Sequence, residues 1–244
     1  MKTVREHYDG FLGSVYSWIL GDFDTAVERN ASFFEGLGLA ADNGASAVDL
    51  GSGSGCQSIP LARIGYQVLA VDFCESLLTE LSDHAGSLPV TPVQDDIANF
   101  RMHMSEPADL IVCMGDTLVH LPDQAAVLQV LDDVCRSLKP GGRFVYAIRD
   151  YFNDVPSGAD RFIPIRSEAD RIFTCFLDYE DKTVHIHDVL HQRNGDSWTM
   201  EISDYRKLRL ATETVDRQLE LGGLTLSPKS RHEGMIVGIA TRPS

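Results

Sequence analysis

The chain has no cysteines at CxxC spacing, no long apolar run, no GxGxxG motif and a shortage of positive charge. Each absence narrows the reading. The five cysteines, Cys56, Cys74, Cys113, Cys135 and Cys175, are scattered and odd in number. They read as free thiols in a reducing compartment, not as a disulfide or zinc framework, and a cytoplasmic location is expected. No segment reaches the roughly 18 uninterrupted apolar residues of a membrane span, so no membrane partner is expected. The opening MKTVREHYDG has no apolar run behind its charges and is expected not to be a secretory signal. Lys and Arg number 21 against 36 Asp and Glu, a formal charge of −15. Such an acidic surface repels phosphate backbones, so nucleic acid is not expected as a partner. The missing GxGxxG counts against a dinucleotide-linked oxidoreductase.

The first half of the 244 residues alternates strand and helix signals. A helical opening runs from about Tyr8 to Gly36, interrupted near Gly21-Asp22. AVDL (47–50), YQVLAVD (66–72), VTPVQDD (90–96), ADLIVCMG (108–115) and RFVYAI (143–148) read as five strands, the third at an edge because of Pro92. The segments 54–65, 74–85 and 122–138 read as helices between them, the last opening with Pro122 in its first turn. Near-continuous apolar strands alternating with helices imply a doubly wound α/β fold with a parallel sheet covered on both faces. Ligands then bind beyond the carboxyl ends of the strands. The second half changes character. RIFTCFLDYE, KTVHIHDVLHQ and SWTMEISDYRK read as an antiparallel insertion of about three strands. A helix over 211–221 and a closing strand, MIVGIA (235–240), follow. The expected organisation is one domain over 1–244: an N-terminal helical lid (1–40), a cofactor-binding core (45–150), the insertion (160–208) and a closing segment (210–244).

The central motif is Asp49-Leu50-Gly51-Ser52-Gly53-Ser54-Gly55, between a strand and a helix. Glycines let a backbone turn sharply and approach a ligand closely. A helix start at Ser54-Gly55 would offer unpaired N–H groups to a carboxylate. Asp72 ends the second strand, where an ionised carboxylate can accept from both hydroxyls of a ribose. Asp96 and Ile97 follow the third strand, where one can accept from an adenine amino group and the other can pack on the ring. The plainer alternative is that Asp96 caps a short helix.

In order, DLGSGSG, VLAVD, QDDI, ADLIVCMGD and LKPGGRFVYAI resemble the motifs of class I S-adenosylmethionine-dependent methyltransferases, over about residues 47–149. The resemblance implies a Rossmann-like seven-stranded sheet, mostly parallel, with its last strand antiparallel. It implies S-adenosyl-L-methionine as cofactor. Asp49, Gly51, Gly53 and Gly55 would form the cofactor loop. Asp72, with Phe73 after it, would hold the ribose, and Asp96 and Ile97 the adenine. Cys113 to Gly115, Met114 among them, would lie along the methionine part, with Tyr16 completing the site. A narrower resemblance, to glycine and sarcosine N-methyltransferases, rests on YSWILGDFDTA, on Met114 to Asp123, and on Arg149-Asp150-Tyr151. That subgroup commonly has Asn where this chain has Asp116, which points to a small polar acceptor other than glycine. Tyr8, Tyr151 and one of Arg161, Arg166 and Arg171 are the substrate candidates.

Asp116 and His120 follow the fourth strand, where the transferred methyl would point. Asp116 is the candidate contact for an amine and His120 the candidate proton acceptor, near neutrality. The bland alternative is that Asp116 caps the turn and His120 packs beneath it. His185, His187 and His191 share one strand face, but without an evident third ligand they read as a polar face, and no metal is expected. Cys113 and Cys175 sit in apolar runs, which weighs against a thiolate-dependent arsenic methyltransferase. The expected activity is methyl transfer to a small-molecule acceptor, at nitrogen of a small amine or amino-acid-like compound. Oxygen or carbon methylation, and a non-catalytic cofactor-binding protein, are the alternatives. The sequence leaves a homo-oligomer open.

Overall fold

Apolar runs such as Ala108–Cys113 are satisfied only when both faces of the strand are covered. In the computed structural model they are, and the structure describes residues 2–41, 44–153 and 155–244. The N-terminal segment holds α1 (Val4–Gly10), a 3₁₀ turn (Leu12–Ser14), α2 (Tyr16–Leu20) and α3 (Phe23–Gly36). The Thr3/Glu6 capping box starts α1, and the Asp22 side chain caps α3 by accepting from Thr25 N–H at 2.8 Å.

The core then alternates β1 (Ala45–Leu50), α4 (Ser58–Arg63), β2 (Tyr66–Asp72), α5 (Glu75–Ala85), β3 (Val90–Gln94), β4 (Ala108–Cys113), α6 (Gln124–Ser137) and β5 (Leu138–Ile148). The inserted strands are β6 (Phe162–Ser167), β7 (Arg171–Tyr179), β8 (Thr183–Asn194) and β9 (Ser197–Leu208). The chain closes with α7 (Thr212–Leu221), β10 (Thr225–Leu226), β11 (Ser230–His232) and β12 (Met235–Thr241).

The main sheet runs β10-β12-β5-β4-β1-β2-β3, with β11 added on β12. Strands β1 to β5 are parallel and β12 is antiparallel to β5, the doubly wound arrangement expected. Strand β3 is at the edge, where Pro92 costs no ladder bond. Three details differ from the sequence reading. The insertion has four antiparallel strands, not three; β6 was hidden because Pro164 and a register shift between Pro164 and Arg166 break its alternation. The helix after the glycine loop starts at Ser58, not Ser54, because Gly53 (φ 51°) and Gly55 (φ 99°) adopt conformations a right-handed helix excludes. Helix α6 is capped by Asp123, so Pro122 lies outside it.

Two apolar layers sandwich the main sheet. Helices α3, α4 and α5 bring Phe34, Leu61 and Leu81 to one face; α6 and α7 bring Val127, Leu131 and Leu219 to the other. The inserted sheet shows strict alternation, with Val184, Ile186, Asp188 and Leu190 inward and His185, His187 and His191 on the more open face. A third cluster joins it to the N-terminal segment: Phe11, Leu12 and Val15 pack on Phe173 and Leu190. Each such side chain contributes about 1.5–3 kcal/mol on full burial, so the segment shares a core with the insertion. A polar tie reinforces this. Fully buried His7 contacts Ser203 Oγ through Nδ1 at 2.8 Å and Asp188 Oδ2 through Nε2 at 3.1 Å. Among the described residues, no helix is long and apolar enough to cross a membrane.

Replacing His7 with Ala strands the Asp188 carboxylate, which is 4 % exposed. The expected loss is about 1–3 kcal/mol of unfolding free energy in urea, with faster amide hydrogen exchange in α1. If neither changes, this pair does not hold the segment.

Candidate active site

A doubly wound sheet leaves its binding crevice beyond the carboxyl ends of the parallel strands. A cavity of about 410 Å³ lies there. Its wall is contributed by the residues that follow each strand in turn: Gly51 to Ser54 after β1, Asp72 and Phe73 after β2, Asp96 and Ile97 after β3, Met114 and Gly115 after β4, and Arg149 after β5. The N-terminal segment roofs it with Tyr8, Tyr16, Ile19 and Leu20.

Local geometry fixes each group. Gly51 (φ 78°) passes so close to Thr117 that a Cβ would stand 2.4 Å from its Cγ2, so only glycine fits. At Gly53 the nearest such neighbour is the Tyr16 ring, at 3.7 Å. Asp72 accepts from Gly53 N–H at 2.8 Å and Cys74 N–H at 2.9 Å, one bond per oxygen. Burial raises its pKa against those two bonds, so further donors on the remaining lone pairs would favour the ionised form. Asp96 accepts from Ala98 N–H at 2.9 Å and also lines the cavity, so capping and ligand contact are compatible. Asp49 lies behind the loop. Its Oδ2 accepts from Ser58 at 2.6 Å, and burial pushes the carboxyl up to about 7.

Asp116 is where the structure departs most from expectation. It does not face the cavity. It is 2 % exposed and sits in the left-handed region at φ 71°. Arg149 N–H at 2.9 Å, the Tyr151 hydroxyl at 2.5 Å and Lys207 Nζ at 3.0 Å all donate to it. Burial alone would raise its pKa, but Lys207 and these bonds outweigh burial and hold it below the usual carboxylate range. Asp116 thus has three internal donors, one on Oδ1 and two on Oδ2, and is not among the residues that line the cavity. Tyr151, its donor, is likewise buried beneath the site. His120 does line the cavity, with its Nε2 buried and unpartnered. Burial, with Lys207 nearby, pushes its pKa down to about 3, so it is a neutral imidazole and not the near-neutral base expected.

The three candidate arginines fall outside the cavity wall. Arg161 pairs with Asp178 and lies over Phe176, Arg166 pairs with Glu168, and Arg166 and Arg171 flank the Trp18 ring. Arg149 lines the cavity instead and makes no ion pair among the described residues. Its place directly after β5 was the signal that could have found it. Arg29, Asn30, His232 and Glu233 also line the cavity, and no local motif marks them. His185 pairs with Asp204, away from the site.

The cavity suits a ligand that has polar groups beside apolar surface. Asn30 Oδ1, Ser52 Oγ, His120 Nε2 and His232 Nε2 are buried without hydrogen-bond partners, and all four residues line it. Buried polar atoms are rarely left so, and four around one cavity mark groups a ligand or water satisfies. With the Asp72 acceptor and the Cβ-free approach at Gly53, these residues fit S-adenosylmethionine.

Comparison with known proteins agrees. Residues 47–142 match the family model described as a methyltransferase domain. The matched stretch is the cofactor-binding core, and the match supports the resemblance of its motifs to class I S-adenosylmethionine-dependent methyltransferases. It is 28% identical over 106 residues to the ubiquinone biosynthesis O-methyltransferase of Proteus mirabilis, covering 43% of this chain and 42% of that protein. It is 25% identical over 169 residues to the glycine N-methyltransferase of Oryctolagus cuniculus, covering 63% and 57%. The chain thus spans about half the length of these curated relatives. The fold extends over nearly the whole chain: an amino pentose methyltransferase from Micromonospora echinaspora superposes with TM-score 0.76 at 14% identity, covering 95% of this chain and 96% of that one.

The neutral His120 gives a pH signature. Its folded pKa lies below the unfolded value near 6.5, so the unfolded chain binds the extra proton and stability falls with pH between about 6.5 and 3. Between pH 7 and 5 the wild type should lose more stability in denaturant than His120→Gln, by up to about 1.4 kcal/mol per pH unit. Parallel pH profiles for the two proteins would show that His120 titrates normally.

Proposed function

We propose that this protein transfers the methyl group of S-adenosylmethionine to the nitrogen of a small amine or amino-acid-like compound. The observation that supports this most is the single cavity that joins the Gly51–Ser54 loop and Asp72 to Tyr8, His120 and Arg149 under an aromatic roof.

The bound sulfonium supplies an already activated methyl group, so the chain's residues have to align, desolvate and manage a proton. Tyr8 and Tyr16 close the cavity and exclude water; burial raises both phenols, which stay neutral. S-adenosylmethionine held there would supply the methyl for in-line transfer to the amine nitrogen, with the thioether leaving as S-adenosylhomocysteine and the amine's surplus proton passing to solvent. His120 bears on the choice of acceptor atom. A hydroxyl acceptor needs a base to take its proton during transfer, and an imidazole held at about 3 is a poor one. An amine can enter as its free base and needs none. The neutral imidazole can accept a hydrogen bond from the amine N–H and orient its lone pair. Arg149 is placed to hold an acidic group of the acceptor. Asp116 acts beneath the site, fixing the Arg149 backbone and keeping Lys207 paired.

A screen of amines, amino acids and phenols, read by S-adenosylhomocysteine release, tests the proposal. Turnover is expected with amines that carry an acidic group and not with phenols. Arg149→Leu should raise the Michaelis constant for such an amine about tenfold or more. Asp72→Ala should weaken S-adenosylhomocysteine binding by about 1.5–3 kcal/mol in calorimetry. Binding of NAD in place of S-adenosylhomocysteine, or turnover of phenols alone, would overturn the assignment.

A further inference from the structure

The strand order places Asp72 and Asp96, on β2 and β3, to one side of the glycine loop. Glu233 and Met235, at the β11–β12 turn, lie on the other side, beyond β4 and β5. That far wall holds Arg29 and Asn30 of α3 and His232 and Glu233 of the turn. Arg29 is bound to Glu233 as an ion pair. The turn is tight: His232 pairs with Met235, so Glu233 and Gly234 alone make the corner. Both have positive φ, 50° and 74°. Such a corner favours Asn, Asp or Gly at its first position, and glutamate there is backbone-strained. Outliers of this kind are kept where the side chain has work to do. The stacking of His232 on Phe33 of α3, with centroids 4.0 Å apart, sets this turn against the helix that carries Arg29.

The chemistry of that wall matches an amino-acid end. Arg29 offers a cation, and the unpartnered Asn30 Oδ1 and Ser52 Oγ offer acceptors for an ammonium group. We propose that Glu233 is a built-in stand-in for the carboxylate of the cofactor's amino-acid end. It pairs with Arg29 until the ligand carboxylate takes its place on binding. The inference rests on the reading of the cavity as the S-adenosylmethionine site. Exchange is easy because the pair is open to solvent, the two side chains being 46% and 33% exposed, and such pairs hold weakly. The consequence is a cost of binding that falls on the complete cofactor alone. A nucleoside that lacks the amino-acid end displaces nothing, whereas the complete cofactor opens the turn as it binds.

Calorimetry with S-adenosylhomocysteine and with methylthioadenosine, which lacks the amino-acid end, tests this. Glu233→Gln removes the competitor and should tighten S-adenosylhomocysteine about two- to fivefold, leaving methylthioadenosine unchanged. Arg29→Met should weaken S-adenosylhomocysteine and abolish the effect of Glu233→Gln in the double variant. Weaker binding by Glu233→Gln would mean that Glu233 holds the ammonium, and overturns the proposal. An equal gain with Arg29 removed, or with methylthioadenosine, would reduce the effect to general charge and also overturns it. Failure of the wild type to bind S-adenosylhomocysteine would instead remove the reading of the cavity itself, and this proposal with it.

Discussion

A carboxylate removed from water at the end of a strand has to find donors, or its burial costs several kcal/mol. Asp116 meets that demand with three donors from three segments: a backbone N–H at the end of β5, a phenol from the loop beyond it, and an ammonium from β9. Because the partners are distant in sequence, satisfying one carboxylate brings the parallel core, the connecting loop and the inserted sheet into register. The position of Arg149 follows, since the N–H that binds Asp116 belongs to the residue whose side chain reaches the cavity. So does the electrostatic setting of His120, which has Lys207 and Asp116 as neighbours. A buried ion pair of this sort adds little net stability, but it penalises every arrangement that leaves it unpaired.

Much of the fold was legible because its signals are local. Tyr66–Asp72 is bounded in the structure as its apolar pattern bounds it, and the glycine loop follows its strand as the motif requires. What escaped was non-local. The strand Phe162–Ser167 has Pro164 inside it and pairs with a shifted register, so no alternation announces it. Asp116 follows the right strand for a substrate contact, yet its direction is set by Lys207, 91 residues away in sequence. The arginines at 161, 166 and 171 looked equivalent as a cluster; their ion pairs and the Trp18 ring hold them elsewhere. Arg29 and Glu233 sit more than two hundred residues apart and meet only because β12 returns beside β5.

The N-terminal segment and the inserted sheet are not two covers laid independently over one opening. Phe11, Leu12 and Val15 share a core with Phe173 and Leu190, and His7 of α1 is held by Asp188 of β8 and Ser203 of β9. The same short segment bears Tyr8 and Tyr16 on its cavity side. The two parts are therefore coupled through one core. A change in the inserted strands is transmitted through this shared core to the aromatic roof above the glycine loop. In a lineage of such proteins, substitutions in the inserted strands and in the roof would then be expected to accompany one another.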